Sequence, residues 1–124
     1  MTEAVTEAAT ETADGLLEMR LFKLRPGTRT EFDRISRDGT IPMMRRYGIN
    51  VVDFGPMLND EDGYFLLRAF GSEQERVEKS QAIYATTEWE ENYDAPVSSM
   101  IEDYRTAVIP ATRALAPALV GDTA

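Results

Sequence analysis

Between Leu16 and Arg25 the side chains sort by parity. Leu17, Met19 and Leu21 fall on one side of an extended chain, and Glu18, Arg20, Phe22 and Leu24 on the other, the period of a β-strand. Arg25-Pro26-Gly27 ends that run with a turn signal. From Thr28 the period lengthens: Thr28-x-x-Glu31 fits a capping box, and Phe32, Ile35 and Ser36 open a helical stripe. Gly39 and Pro42 interrupt it, which predicts a kink or two pieces before Met43, Met44 and Tyr47, with Gly48 as the stop. Ile49 to Leu58 reads as a second strand, Asn59 to Gly63 as a hairpin turn, and Tyr64 to Phe70 as a third strand. Ser72-x-x-Glu75 opens a helix to about Tyr84, and Thr87-x-x-Glu90 a short one bearing Trp89 and Tyr93. Ala95-Pro96 ends that helix, and Val97, Met100, Ile101 and Tyr104 then recur at helical spacing before a final strand from Arg105 to Pro110.

The order is β-α-β-β-α-β, an α+β fold of the ferredoxin-like split type with a four-stranded antiparallel sheet. At 124 residues there is room for one domain, spanning 16–110. An acidic, low-complexity tail (1–15) and a C-terminal tail (111–124) flank it.

Strands one and three are the central neighbours of such a sheet. In strand three Phe65, Leu67 and Ala69 share one face, and Tyr64, Leu66, Arg68 and Phe70 the other. Each central strand therefore has a wholly apolar face and a mixed face carrying an arginine. A covered guanidinium needs a partner. Two fates are open for Arg20 and Arg68: pairing with a carboxylate such as Glu18, or gripping the carboxylate, carbonyl or enolate of an otherwise apolar ligand. Tyr64 can offer a hydroxyl, and Trp89, with Tyr84 and Tyr93, either packs the core or walls a ligand. The candidate ligand-binding set is Arg20, Glu18, Tyr64, Arg68 and Trp89. An apolar sheet face left open on so small a chain predicts a homodimer.

Several short stretches together resemble one family. Glu18-Met19-Arg20-Leu21-Phe22 with Leu24-Arg25-Pro26-Gly27, Ile41-Pro42-Met43-Met44-Arg45-Arg46-Tyr47-Gly48, Leu67-Arg68-Ala69-Phe70-Gly71-Ser72 with Glu75-Arg76, and Glu88-Trp89 are similar to NIPSNAP segments in the same order, over about residues 17–110. The resemblance implies a dimeric α+β barrel in which two ferredoxin-like protomers pair sheet to sheet.

Composition narrows the chemistry. Acidic residues outnumber basic ones 22 to 13, a net charge of −9 that argues against a nucleic-acid partner or an anionic membrane surface. Without cysteine there is no disulfide or thiol nucleophile, and without histidine no Ser-His-Asp triad, imidazole base or histidine metal site. Asp60-Glu61-Asp62-Gly63 departs from the EF-hand pattern, with Leu58 where an acidic ligand belongs, and reads as a solvated turn. No GxGxxG, Walker A or GxSxG motif is present, so no cofactor and no metal are expected. No signal peptide or membrane span is apparent, which points to the cytoplasm. Three functions fit: binding of a small, largely apolar ligand, aromatic or acidic; a cofactor-independent monooxygenase, cyclase or isomerase of this fold; or a non-catalytic interaction module.

Overall fold

β1 (Leu16–Leu24) is extended along its whole length, as its alternation requires, and the turn after it places Gly27 at a φ of 84°. The computed structural model describes residues 15–111, so both predicted tails lie outside the described residues, save Gly15 and Ala111. These two meet: the Ala111 amide donates to the Gly15 carbonyl at 3.2 Å. Gly15 has a φ of 75°, and a Cβ there would stand 2.4 Å from the Phe70 carbonyl oxygen, so only glycine fits.

In the next segment the expected two pieces are present, joined by a wider turn. From Arg29 to Arg46 the chain is helical throughout, in three registers: α1 (Arg29–Ile35), a π-helical turn (Ser36–Thr40) and α2 (Ile41–Arg46). Pro42 has no N–H to donate, and its ring crowds the carbonyl four residues back. The turn before it widens instead of breaking, and the Ile41 amide reaches five residues back to Ser36. Thr28 does not form the predicted box; its hydroxyl donates to the Arg25 carbonyl at 2.8 Å.

β2 (Asn50–Pro56) is shorter than expected and bulges between Val51 and Asp53. It forms a hairpin with β3 (Gly63–Phe70). α3 (Glu73–Tyr84) starts where predicted: the Ser72 hydroxyl accepts from the Glu75 amide, while the Glu75 carboxylate takes the Gly71 amide, one residue earlier than a full box would. α4 (Thr87–Asn92) is capped by Thr86 rather than Thr87. Pro96 does not stop a helix; it sits in the first turn of α5 (Asp94–Met100), where its missing N–H is harmless. The predicted helical stripe ends at Met100, and Ile101 and Tyr104 belong to β4 (Ile101–Pro110).

The sheet order is β2-β3-β1-β4, antiparallel at every pairing, with Glu18 opposite Arg68, Arg20 opposite Leu66 and Phe22 opposite Tyr64. All helices lie on the face these residues share. Its core is two clusters, one around Met43, Met44, Ile83 and Trp89 and one around Leu24, Phe32 and Tyr64, and both touch Phe22, Phe54 and Val97. Met19, Leu21, Phe65 and Leu67 point the other way and join neither cluster, with Leu21 40% exposed. Among the described residues no helix is long and apolar enough to cross a membrane.

Candidate functional site

Glu18 and Arg68 are both completely buried, directly opposite each other on β1 and β3. The guanidinium binds the carboxylate at two points, Nε to Oε1 at 2.7 Å and Nη2 to Oε2 at 3.2 Å. One face of α3 completes the cluster at four-residue intervals. Arg76 donates to Glu18 Oε2 at 2.9 Å, Ser80 accepts from Arg68 at 3.1 Å, and the Tyr84 hydroxyl accepts from Arg68 at 3.3 Å. Burial works to raise the Glu18 pKa, but the hydrogen bond and charge of Arg68, with Arg20 and Arg76 adding to them, prevail and hold it below the usual carboxylate value. For Arg68 burial pulls downward, and the Tyr84 and Glu18 oxygens outweigh it, so it stays protonated.

Two residues along β1, Arg20 meets different surroundings. It stands at a cavity of about 330 Å³ between the sheet and the helices. The two core clusters do not close over each other here, and the residues common to both, Phe22, Phe54 and Val97, form the walls with Leu66 and Trp89. The π-turn contributes Ser36 and Thr40, and Tyr104 of β4 stands at the edge, 55% exposed. Arg20 Nε lies 3.4 Å from Glu18 Oε1 but is buried without a hydrogen bond, and Nη1 reaches the Tyr84 hydroxyl at 3.5 Å.

The fold has counterparts among known proteins. The NIPSNAP family model matches residues 17–114. The chain belongs to the NIPSNAP family. A NIPSNAP-like domain protein from Burkholderia xenovorans superposes with a TM-score of 0.74 at 15% identity, over 82% of this chain and 88% of that one. A NIPSNAP family protein of unknown function from Agrobacterium tumefaciens gives 0.74 at 17% identity, over 82% and 91%. An antibiotic biosynthesis monooxygenase-type fold from Nitrosomonas europaea gives 0.60 at 13% identity, over 80% and 91%. At these identities the likeness is one of fold. No curated protein matches the chain.

Within this NIPSNAP domain the five candidate residues divide. Arg20, Tyr64 and Trp89 line the cavity; Glu18 and Arg68 stand behind it as a closed ion pair. The Tyr64 hydroxyl is already engaged. It donates to Asp33 at 2.6 Å, and burial together with that bond pushes its pKa up, so it is a poor proton donor or base toward a ligand. Trp89 both packs the core and walls the cavity, with Tyr84 edge-on at 4.8 Å. The Asp60 turn is held by Lys23, whose ammonium lies 3.0 Å from the carboxylate. Sequence reading offers Tyr84 as packing or a ligand wall beside Trp89 but not as a hydroxyl partner of Arg20 and Arg68. The available signal was the polar row Arg76, Ser80, Tyr84 along a helix face that an apolar core would have filled.

Proposed function

We propose that this NIPSNAP domain binds a small, largely apolar ligand in the cavity on the helix side of its sheet. The cavity itself carries the reading. It falls in the range of ligand sites, is walled by aromatic and aliphatic side chains and has a few polar groups at defined points. A solid core would have suited an interaction module better. Titration with N-phenyl-1-naphthylamine, an uncharged aromatic that fluoresces on leaving water, tests the proposal. Saturable uptake that is lost in Val97→Trp, a variant that fills the cavity, supports it. Uptake that never saturates, or that ignores Val97→Trp, overturns it.

A cofactor-independent enzyme is the second reading, favoured by the monooxygenase-type fold that superposes at 0.60. The walls and Arg20 would then orient a reactive aromatic substrate. Turnover of an electron-rich polyphenol in the presence of oxygen, abolished by Val97→Trp, would distinguish this from binding alone.

The working unit in this reading is a homodimer. Met19 beside Leu67 and Leu21 beside Phe65 form two adjacent apolar pairs on the outer face of the central strands, Leu21 exposed and the other three half-buried, and pairing two such faces removes both from water. Light scattering is expected to give twice the 13.9 kDa chain mass, and Leu67→Glu to give the chain mass. A wild-type protein of one chain mass at micromolar concentration overturns the dimer.

A further inference from the structure

We propose that the ligand carries a negatively charged head, a carboxylate or enolate, bound at Arg20, and that this end of the cavity rejects uncharged amide analogues. The inference rests on the binding reading above and assigns its chemistry. Three guanidiniums, Arg20, Arg68 and Arg76, converge on Glu18, and Arg76 also pairs with Glu73. Three cations thus share two carboxylates, and the excess falls on the one least well held. Arg68 is bound at both ends of Glu18, and Arg76 bridges Glu18 and Glu73. Arg20 has one long contact to Glu18 in poor hydrogen-bond geometry, and its Nε is a buried donor with no acceptor. The charge is therefore only partly answered inside the protein, and the side chain is one-fifth exposed, so the end of the guanidinium that faces the cavity can take a ligand oxygen.

Tyr84 adds a second donor. Both of its contacts with the arginines are ones in which the hydroxyl accepts, so its own hydrogen is left to turn toward the cavity. The oxygens of Glu18 are already taken by Arg68 and Arg76. This end of the cavity therefore offers donors without a free acceptor. A group that only accepts fits it, and an amide NH₂ placed there would face N–H and O–H groups with nothing to receive it. Asp94, the carboxylate among the lining residues, is exposed to water on the first turn of α5 and does not neutralise Arg20 at short range.

Displacement of N-phenyl-1-naphthylamine by a matched pair, 1-naphthoate and 1-naphthamide, tests the charge apart from the cavity. In wild type the carboxylate is expected to displace the dye at a concentration at least about tenfold lower than the amide. In Arg20→Met that preference should collapse, and in Arg20→Lys it should be partly kept, because the charge remains while the planar donor fork is gone. Equal displacement by the two compounds in wild type overturns the anionic head while leaving the binding reading in place. A preference that survives in Arg20→Met also overturns it. If the dye itself shows no saturable uptake, both fail.

Discussion

Glu18 and Arg20 sit two residues apart on one face of one strand, yet the space around them was solved in opposite ways. Around Glu18 the interior is full: every oxygen of a wholly buried carboxylate meets a guanidinium, and α3 turns a polar face inward to supply the partners. Around Arg20 the interior is hollow, walled by rings and short of an acceptor. The filled end is held together by charge that cannot leave. The hollow end keeps a charge that is only partly answered. Stability and recognition are thus divided between neighbouring positions of the same β-strand.

The sharpest way to break that division is Glu18→Gln. It leaves Arg68 buried without a counter-ion, and the expected loss is about 3–5 kcal/mol, read as a fall in the urea midpoint. Replacing both partners, Glu18→Met with Arg68→Met, should recover most of it, since apolar side chains of similar length can replace a buried pair. Acid is the next lever. The Glu18 pKa is depressed in the folded chain, so on acidification the unfolded chain takes up the proton first. Its stabilisation is complete above the ordinary carboxylate value and is lost as pH falls through the depressed one. Urea midpoints measured downward from neutral pH should fall through that window, and less steeply in the double variant. Ser80→Ala removes one acceptor from Arg68 and is expected to cost about 1–2 kcal/mol by the same measurement. Arg20→Met should change stability least, by under about 1 kcal/mol, because Glu18 keeps Arg68 and Arg76. A loss comparable to that of Glu18→Gln would place Arg20 in the filled end and erase the contrast.

Much of this was legible in the chain. The parity of β1 and β3 separates Leu17, Met19 and Leu21 from Glu18 and Arg20, and it sets Arg68 on the same side as Glu18. What parity cannot tell is which arginine wins the carboxylate. That depends on Arg76, Ser80 and Tyr84 arriving from a helix whose inward face is polar, so its contacts leave no hydrophobic stripe. β4 was misread for a related reason. Its helix-side residues Tyr104, Thr106 and Val108 are exposed, so burial imposes no alternation there, and Ile101 and Tyr104 happened to continue the helical spacing of Val97 and Met100. Pro42 was recognised as a disruption, but a proline can be absorbed by a wider turn as well as by a kink, and local sequence does not choose between them.

The hydrogen bond from the Ala111 amide to the Gly15 carbonyl joins the first and last described residues at one corner of the sheet. The two ends of the described segment are therefore neighbours in space, and the order in which the strands are synthesised is separable from the order in which they pair. A short peptide linking those two residues would close the domain into a ring without moving a strand. The ring could then be reopened at the β2–β3 hairpin, where Leu58 is fully exposed. Such a permuted chain would read β3, β4, β1 and β2 in sequence while keeping Glu18 opposite Arg68, because that register belongs to the sheet and not to the direction of travel.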